Sequence, residues 1–131
     1  MAEESKLEPG ITGVAQSIVT ESNTAVAMGS GEVEVFATPA VVALMEAAAV
    51  ACLKGRLAPG ETSVGTRMDM AHVAATPVGM GVRAEAELES VDGRKLVFHV
   101  CAYDEKERIS EGLHERFVIQ TEKFMSKVRA K

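Results

Sequence analysis

The chain of 131 residues has two cysteines, Cys52 and Cys101, too few for a disulfide framework. A secreted scaffold stapled by bridges is therefore excluded, and the reducing cytoplasm is the expected compartment. The first ten residues, MAEESKLEPG, are acidic and have no apolar h-region, so no secretory leader is expected. The main apolar run is too short to cross a bilayer, and Glu46 interrupts it. A basic stripe is also missing. The net charge is −5 and the pI about 5.2, which makes nucleic acid an improbable partner. There is no phosphate-cradling glycine loop, no dinucleotide fingerprint and no serine in a nucleophile elbow. No His, Cys, Asp or Glu spacing suggests zinc, so neither a metal nor a resident cofactor is expected.

What is present is enough for one domain with one core, since 47% of the residues are hydrophobic. Its most informative part is Pro39–Leu53, PAVVALMEAAAVACL, rich in the helix formers Ala and Leu. Glu46 is the single charged side chain in it. The residues at helical spacing from Glu46 are Val42, Ala43, Ala49 and Val50, all apolar. A helix apolar on every side is normally buried. A carboxylate on such a helix has to be paired, hydrogen-bonded, protonated or turned toward a cavity.

Around this helix the pattern changes. Residues 1–10 read as a frayed end. Ile11–Thr20 is β-prone, and Thr24–Met28 reads as its continuation before the flexible loop Gly29–Glu32. Thr38-Pro39 starts the helix well, with Thr as N-cap and Pro at the first helical position. Lys54-Gly55 ends it and Pro59-Gly60 is a turn. From there the period is two. Thr62–Val73 reads as a strand, and in Met80–Val91 the residues Val82, Ala84, Ala86 and Leu88 alternate with Arg83, Glu85, Glu87 and Glu89. Asp92-Gly93 is a tight hairpin turn, followed by strands Lys95–Tyr103 and Arg108–Thr121 and a short terminal helix over 122–131. This order is α+β: an antiparallel sheet wrapped around one long apolar helix, about residues 39–54. One sheet of this size covers such a helix incompletely. Dimerisation would supply the rest, and a shared interface is a common place for a ligand site.

Four residues are candidates for chemistry. Glu46 is a general base, a carboxylate that attacks directly, or an acid tied to backbone amides or to an arginine. His72, near the end of a strand, suits proton transfer or is a half-buried structural histidine. Thr38 is the helix N-cap and also able to orient a polarised group. It lies about 12 Å from Glu46 along the helix axis and roughly 80° around it. Gly65 interrupts a β-pattern, which marks a bulge or a close approach, and its N–H is a potential oxyanion donor. Strict alternation puts Gly65 and His72 on opposite faces unless the strand bulges. His99 and His114 read as structural. Lys123, Lys127, Arg129 and Lys131 make the C-terminus locally basic, which is a solvated tail or a contact for the phosphates of a nucleotide-bearing ligand.

The run Val35-Phe36-Ala37-Thr38, the segment Leu44-Met45-Glu46, Pro59-Gly60-Glu61, and Gly65-Thr66 through His72 with Ala74-Ala75-Thr76-Pro77 resemble the hotdog-fold acyl-CoA thioesterases. The likeness is greatest to the fluoroacetyl-CoA thioesterase group, and Gly112–Arg116, Glu122-Lys123-Phe124 and Lys127-Val128-Arg129 extend it. The resemblance implies a single hotdog thioesterase domain over 11–131. It implies a homodimer, or paired dimers in a tetramer, that hydrolyses a short-chain acyl-CoA to free acid and CoA. The family's catalytic Thr, Glu and His fall on Thr38, Glu46 and His72, and its Gly seven residues before that His falls on Gly65. No metal or cofactor is implied; coenzyme A belongs to the substrate. One departure stands out: where that group has an aromatic-rich lid, this chain has Gly29-Ser30-Gly31-Glu32-Val33-Glu34-Val35, with Phe36 the sole aromatic. A different or broader short acyl group than fluoroacetyl is therefore expected. Two other activities fit the same fold, a non-catalytic acyl-CoA-binding module and an acyl-CoA hydratase or dehydratase.

Overall fold

The computed structural model describes residues 6–131. Strand β1 (Thr12–Ile18) leads through a single-turn helix α1 (Ala25–Met28) to the long helix α2 (Thr38–Leu53). Four strands follow, β2 (Glu61–His72), β3 (Gly81–Asp92), β4 (Lys95–Asp104) and β5 (Arg108–Gln120), and helix α3 (Thr121–Arg129) ends the chain. The strands form one antiparallel sheet in the order β1-β3-β4-β5-β2, so β1 and β2 are its edges. This is the expected sheet around a central helix. Of the N-terminal residues read as frayed, 1–5 lie outside the described residues. Leu7 packs against the core, and Gly10 donates its N–H to Leu88 O at 2.8 Å.

Alternation sets the sheet's inner face. Val82, Ala84, Ala86 and Leu88 of β3 and Leu96, Phe98, Val100 and Ala102 of β4 are buried. Against them α2 places Val41, Leu44, Met45, Ala48, Ala49, Cys52 and Leu53. Helix and sheet come closest at Gly13, where a Cβ would collide with the backbone of Ala48 and Cys52. The opposite side of α2, with Ala43, Ala47, Val50 and Ala51, is exposed, and Val50 is 51% accessible. The helix is therefore half covered, as its all-round apolar composition anticipates. Both cysteines are free and buried. Among the described residues no helix is long and apolar enough to cross a membrane.

Two local expectations fail. Thr24–Met28 does not extend a strand. Thr24 Oγ1 accepts from Ala27 N–H and caps the turn α1, which Gly29 closes in the left-handed region. Thr38 is not the N-cap of α2. Ala37 holds that position, extended and without a side-chain cap, because the Thr38 hydroxyl is engaged elsewhere.

Candidate active site

Three neighbouring segments fix the entry to α2. Phe36 N–H donates to Thr76 O and Ala37 N–H to Asn23 O, while Val73 N–H ties the end of β2 to Ile109 O. The first residue of α2 is thereby held against the last residue of β2. Thr38 Oγ1 lies 2.7 Å from His72 Nδ1. The other imidazole nitrogen, Nε2, is buried and has no hydrogen-bond partner among the described residues. Burial pushes the His72 pKa down, against a smaller upward pull from the nearby Ala74 backbone. The ring is therefore neutral near pH 7 and able to accept a proton.

Two turns further along α2, Glu46 faces a second cluster. Its Oε2 lies 3.2 Å from Arg116 Nη1 and 3.8 Å from His114 Nε2. Arg116 is 7% exposed at its side chain, yet each of its three guanidinium nitrogens has a partner. Nε donates to Ser63 Oγ at 2.8 Å, Nη2 to Ser63 O at 3.1 Å, and Nη1 to both Glu46 and His114. The tautomer of His114 follows from its partners. Nδ1 sits 2.8 Å from a carbonyl, Arg67 O, which only accepts, so Nδ1 carries the proton. Nε2 sits 3.1 Å from a guanidinium, which only donates, so Nε2 is the acceptor. Burial, opposed by the Arg67 carbonyl and reinforced by the nearby Arg116 charge, holds the His114 pKa down and keeps the ring neutral. The Glu46–His114 contact is therefore not an ion pair. Glu46 is 40% exposed, and among the described residues no hydrogen bond reaches its Oε1.

Gly65 supplies the floor of this cluster. A Cβ there would overlap Glu46 Oε2 and press on His114 Cε1 and Arg116 Nη1 at 3.2 and 3.3 Å. The strand bulges immediately after it: Gly65 pairs with Arg116 and Arg67 with Glu115, leaving Thr66 as the extra residue. One inserted residue reverses the parity of alternation. Gly65, Met68, Met70 and His72 consequently share the inner face, opposite Arg116, His114, Gly112 and Ser110.

The four residues singled out in the sequence thus fall into two groups. Thr38 and His72 touch each other, as do Glu46 and Gly65, and the groups are separated by about two helical turns. Glu46 is not the isolated acid its sequence neighbours suggest, since an arginine from a distant strand reaches it. Arg116 and Ser63 were not anticipated as site residues. The available signal was parity: Arg116 falls in register with the buried side chains His114 and Val118 of β5. His99, Cys101 and Glu111 also converge, with ligand atoms within 4.8 Å of one another on the outer face of the sheet. Glu111 there is already bound to Arg108 at 2.9 Å and to His99 at 2.6 Å.

A family model described as fluoroacetyl-CoA-specific thioesterase matches residues 19–122. The chain belongs to that family. A fluoroacetyl-CoA thioesterase from Streptantibioticus cattleyicolor is 51% identical over 98 residues, covering 75% of this chain and 70% of the relative. The structure of the fluoroacetyl-CoA thioesterase FlK superposes with a TM-score of 0.90 at 40% identity, covering 95% of this chain and 97% of the other. A variant of FlK in complex with acetyl-CoA gives 0.89 at 39% identity, with 95% and 98% covered. A thioesterase-superfamily member from Thermus thermophilus gives 0.86 at 29% identity, with 94% and 91% covered. The architecture is the hotdog fold.

Proposed function

We propose that this protein hydrolyses a short-chain acyl-CoA thioester to the free acid and CoA, using Glu46, His72, Thr38 and the backbone of Gly65. The observation that carries this reading is the packing of Glu46 on Gly65, which fixes a half-exposed carboxylate over a bulged strand. Gly65 stands beside the bulge on an edge strand, and in this reading its N–H donates to the oxygen of a thioester carbonyl set beneath Glu46. Glu46 takes a proton from water through its free oxygen, and the hydroxide adds to the carbonyl carbon. The carbon–sulfur bond then breaks, and the proton passes by way of His72 to the departing thiolate. Thr38 holds the imidazole through Nδ1, leaving Nε2 as the nitrogen that exchanges protons. The family membership and the acetyl-CoA complex of a FlK variant support the substrate class. The glycine- and acid-rich segment Gly29–Val35 supports an acyl group other than fluoroacetyl.

The working unit in this reading is a homodimer. The exposed apolar face of α2 and the free edge of the twelve-residue strand β2 favour it. Antiparallel pairing of β2 with its copy about a two-fold axis runs the start of one strand toward the end of the other. Glu46 and Gly65 of one subunit then approach Thr38 and His72 of the partner, which brings the two groups into one pocket. Steady-state release of thiol from a panel of acyl-CoA esters tests the function. Glu46→Gln and His72→Ala each lower kcat by about 10²–10⁴ while still folding; near-wild-type rates for both would refute the assignment.

A further inference from the structure

The outer face of the sheet carries a cluster that the thioester chemistry does not use. His99 and Cys101 stand two apart on β4, so their side chains share that face. Glu111 lies directly opposite Cys101 on β5. Its sequence neighbours Ser110 and Gly112 belong to the inner face, which puts Glu111 on the other side of the sheet from Gly65 and His72. His99 Nε2 is 2.6 Å from Glu111 Oε2 and 4.0 Å from Cys101 Sγ, and one donor atom from each of the three residues lies within 4.8 Å of the other two. Cys101 is buried, while His99 and Glu111 are partly open to solvent. No spacing in the sequence announces this cluster, because its third member comes from the next strand.

The donor set is one nitrogen, one sulfur and one oxygen, which suits a zinc-class ion. Magnesium and calcium are disfavoured, since both demand oxygen ligands in larger number. Tetrahedral zinc, with bonds of about 2.0–2.2 Å to nitrogen and oxygen and about 2.3 Å to sulfur, sets the nitrogen–sulfur and nitrogen–oxygen separations at about 3.6 and 3.4 Å. The observed 4.0 and 2.6 Å are each within about 1 Å of these values, so side-chain rotation completes the site without moving a strand. Arg108 Nη1 donates to Glu111 Oε1 at 2.9 Å and leaves Oε2 toward His99, the kind of outer partner that orients a metal ligand. A groove of about 380 Å³ borders both His99 and Cys101, so solvent reaches the fourth corner of the tetrahedron. Glu87, across from His99 on β3, adds negative charge to its wall.

We propose that His99, Cys101 and Glu111 bind one zinc-class divalent ion on the outer face of the sheet, where it clamps β4 to β5. Binding releases the Cys101 thiol proton to solvent and leaves the imidazole proton on Nδ1, so the Nε2 lone pair faces the ion. The thiolate and the carboxylate together cancel the charge of the ion. The clamp stabilises the sheet and takes no part in the reaction at Glu46 and His72, so it stands or falls independently of the hydrolase reading.

The test titrates Zn²⁺ calorimetrically into the tag-free full chain after washing with a chelator. One equivalent bound per chain, with affinity weakened at least about tenfold in both His99→Gln and Cys101→Ser, supports the site. No saturable binding to wild type, or wild-type affinity in either variant, overturns it. Co²⁺ in place of zinc supplies a second readout. The expected result is a thiolate-to-cobalt charge-transfer band in the near ultraviolet that is missing in Cys101→Ser, and cobalt binding to wild type without that band overturns the proposal. Excess zinc should also raise the Tm of wild type by several degrees and leave that of His99→Gln where it was, because only an ion bound to the folded state shifts the melt. An equal rise in both proteins, or none in wild type, counts against the clamp. His99 is partly exposed, so His99→Gln keeps the test open even where removal of the buried Cys101 thiol impairs folding.

Discussion

Replacing Gly65 by alanine isolates the packing on which the site is built. The backbone at Gly65 is outside the left-handed region, so alanine introduces no strain in the main chain. It also keeps the N–H, so an oxyanion donor is not deleted. What it adds is one methyl group, placed where Glu46 Oε2 already sits, with His114 and Arg116 closing the other sides at 3.2 and 3.3 Å. Arg116 is tied to Ser63 by two nitrogens and gives little, so the carboxylate must move by about an ångström. A displacement of that size at a reacting group costs on the order of 10² in rate. Swinging Glu46 away also leaves one buried guanidinium proton short of its acceptor, worth about 1–3 kcal/mol. Expected for Gly65→Ala, then, is a kcat about a hundredfold lower with a folded circular-dichroism spectrum and a modestly lower Tm. A double variant with Glu46→Asp refines the assay: the shorter acid vacates the contested space, so the two effects are far from additive. Wild-type kcat in Gly65→Ala, or strict additivity with Glu46→Asp, would show that Gly65 and Glu46 do not form one unit.

Four other outcomes follow from the same geometry. Because burial lowers the His72 pKa, the acid limb of kcat/KM falls below the ordinary 6.5, and a limb at or above that value contradicts the role given to His72. Both His72 and His114 have depressed pKa values in the fold. The stability they lend is complete above 6.5 and is lost as pH falls through the folded values, a slope that denaturant melts should show flattened in His114→Gln. Mixing the inactive Glu46→Gln and His72→Ala dimers under exchanging conditions restores about a quarter of wild-type activity if sites are shared across the two-fold, and none if each chain completes its own. Ser63→Ala removes the acceptor of Arg116 Nε and leaves Nη2 on the backbone carbonyl, so the guanidinium keeps one of its two anchors and orients Glu46 less firmly, lowering kcat about tenfold at a stability cost of about 1 kcal/mol; an unchanged rate would mean that the Ser63 hydroxyl does not hold Arg116 in place.

The layout was legible where one physical signal dominated. An apolar helix without a polar face and four strands of period two left little freedom, and α2 and β2–β5 lie within a few residues of their expected bounds. Thr24–Met28 went astray because β-prone composition in a five-residue window loses to one side-chain cap and one left-handed glycine. Thr38 shows a different limit. Its sequence context, just before a proline, suits capping, yet the hydroxyl turns to His72, a partner 34 positions away that local sequence does not reveal. Gly65 and His72 were separable by counting alone, and only a bulge could put them on one face. The sequence raised that condition, and the register met it at Thr66.

Glu46 also shows how a pairing and a chemical role coexist. A buried acid held by arginine is commonly a structural ion pair, and a fork of two parallel hydrogen bonds would occupy the carboxylate fully. Here the fork points elsewhere. Nε and Nη2 of Arg116 are both committed to Ser63, and the Nη1 that remains is shared between Glu46 and the acceptor nitrogen of His114. Such an arrangement delivers one hydrogen bond to one oxygen, which fixes the direction of the carboxylate and leaves the second oxygen without a protein partner among the described residues. Gly65 lets the strand lie close enough for that contact, and the all-apolar helix around Glu46 offers no competing polar partner. The features that looked separate in the sequence (a lone acid, a glycine in a strand, an arginine in core register) are three requirements of the same oriented carboxylate.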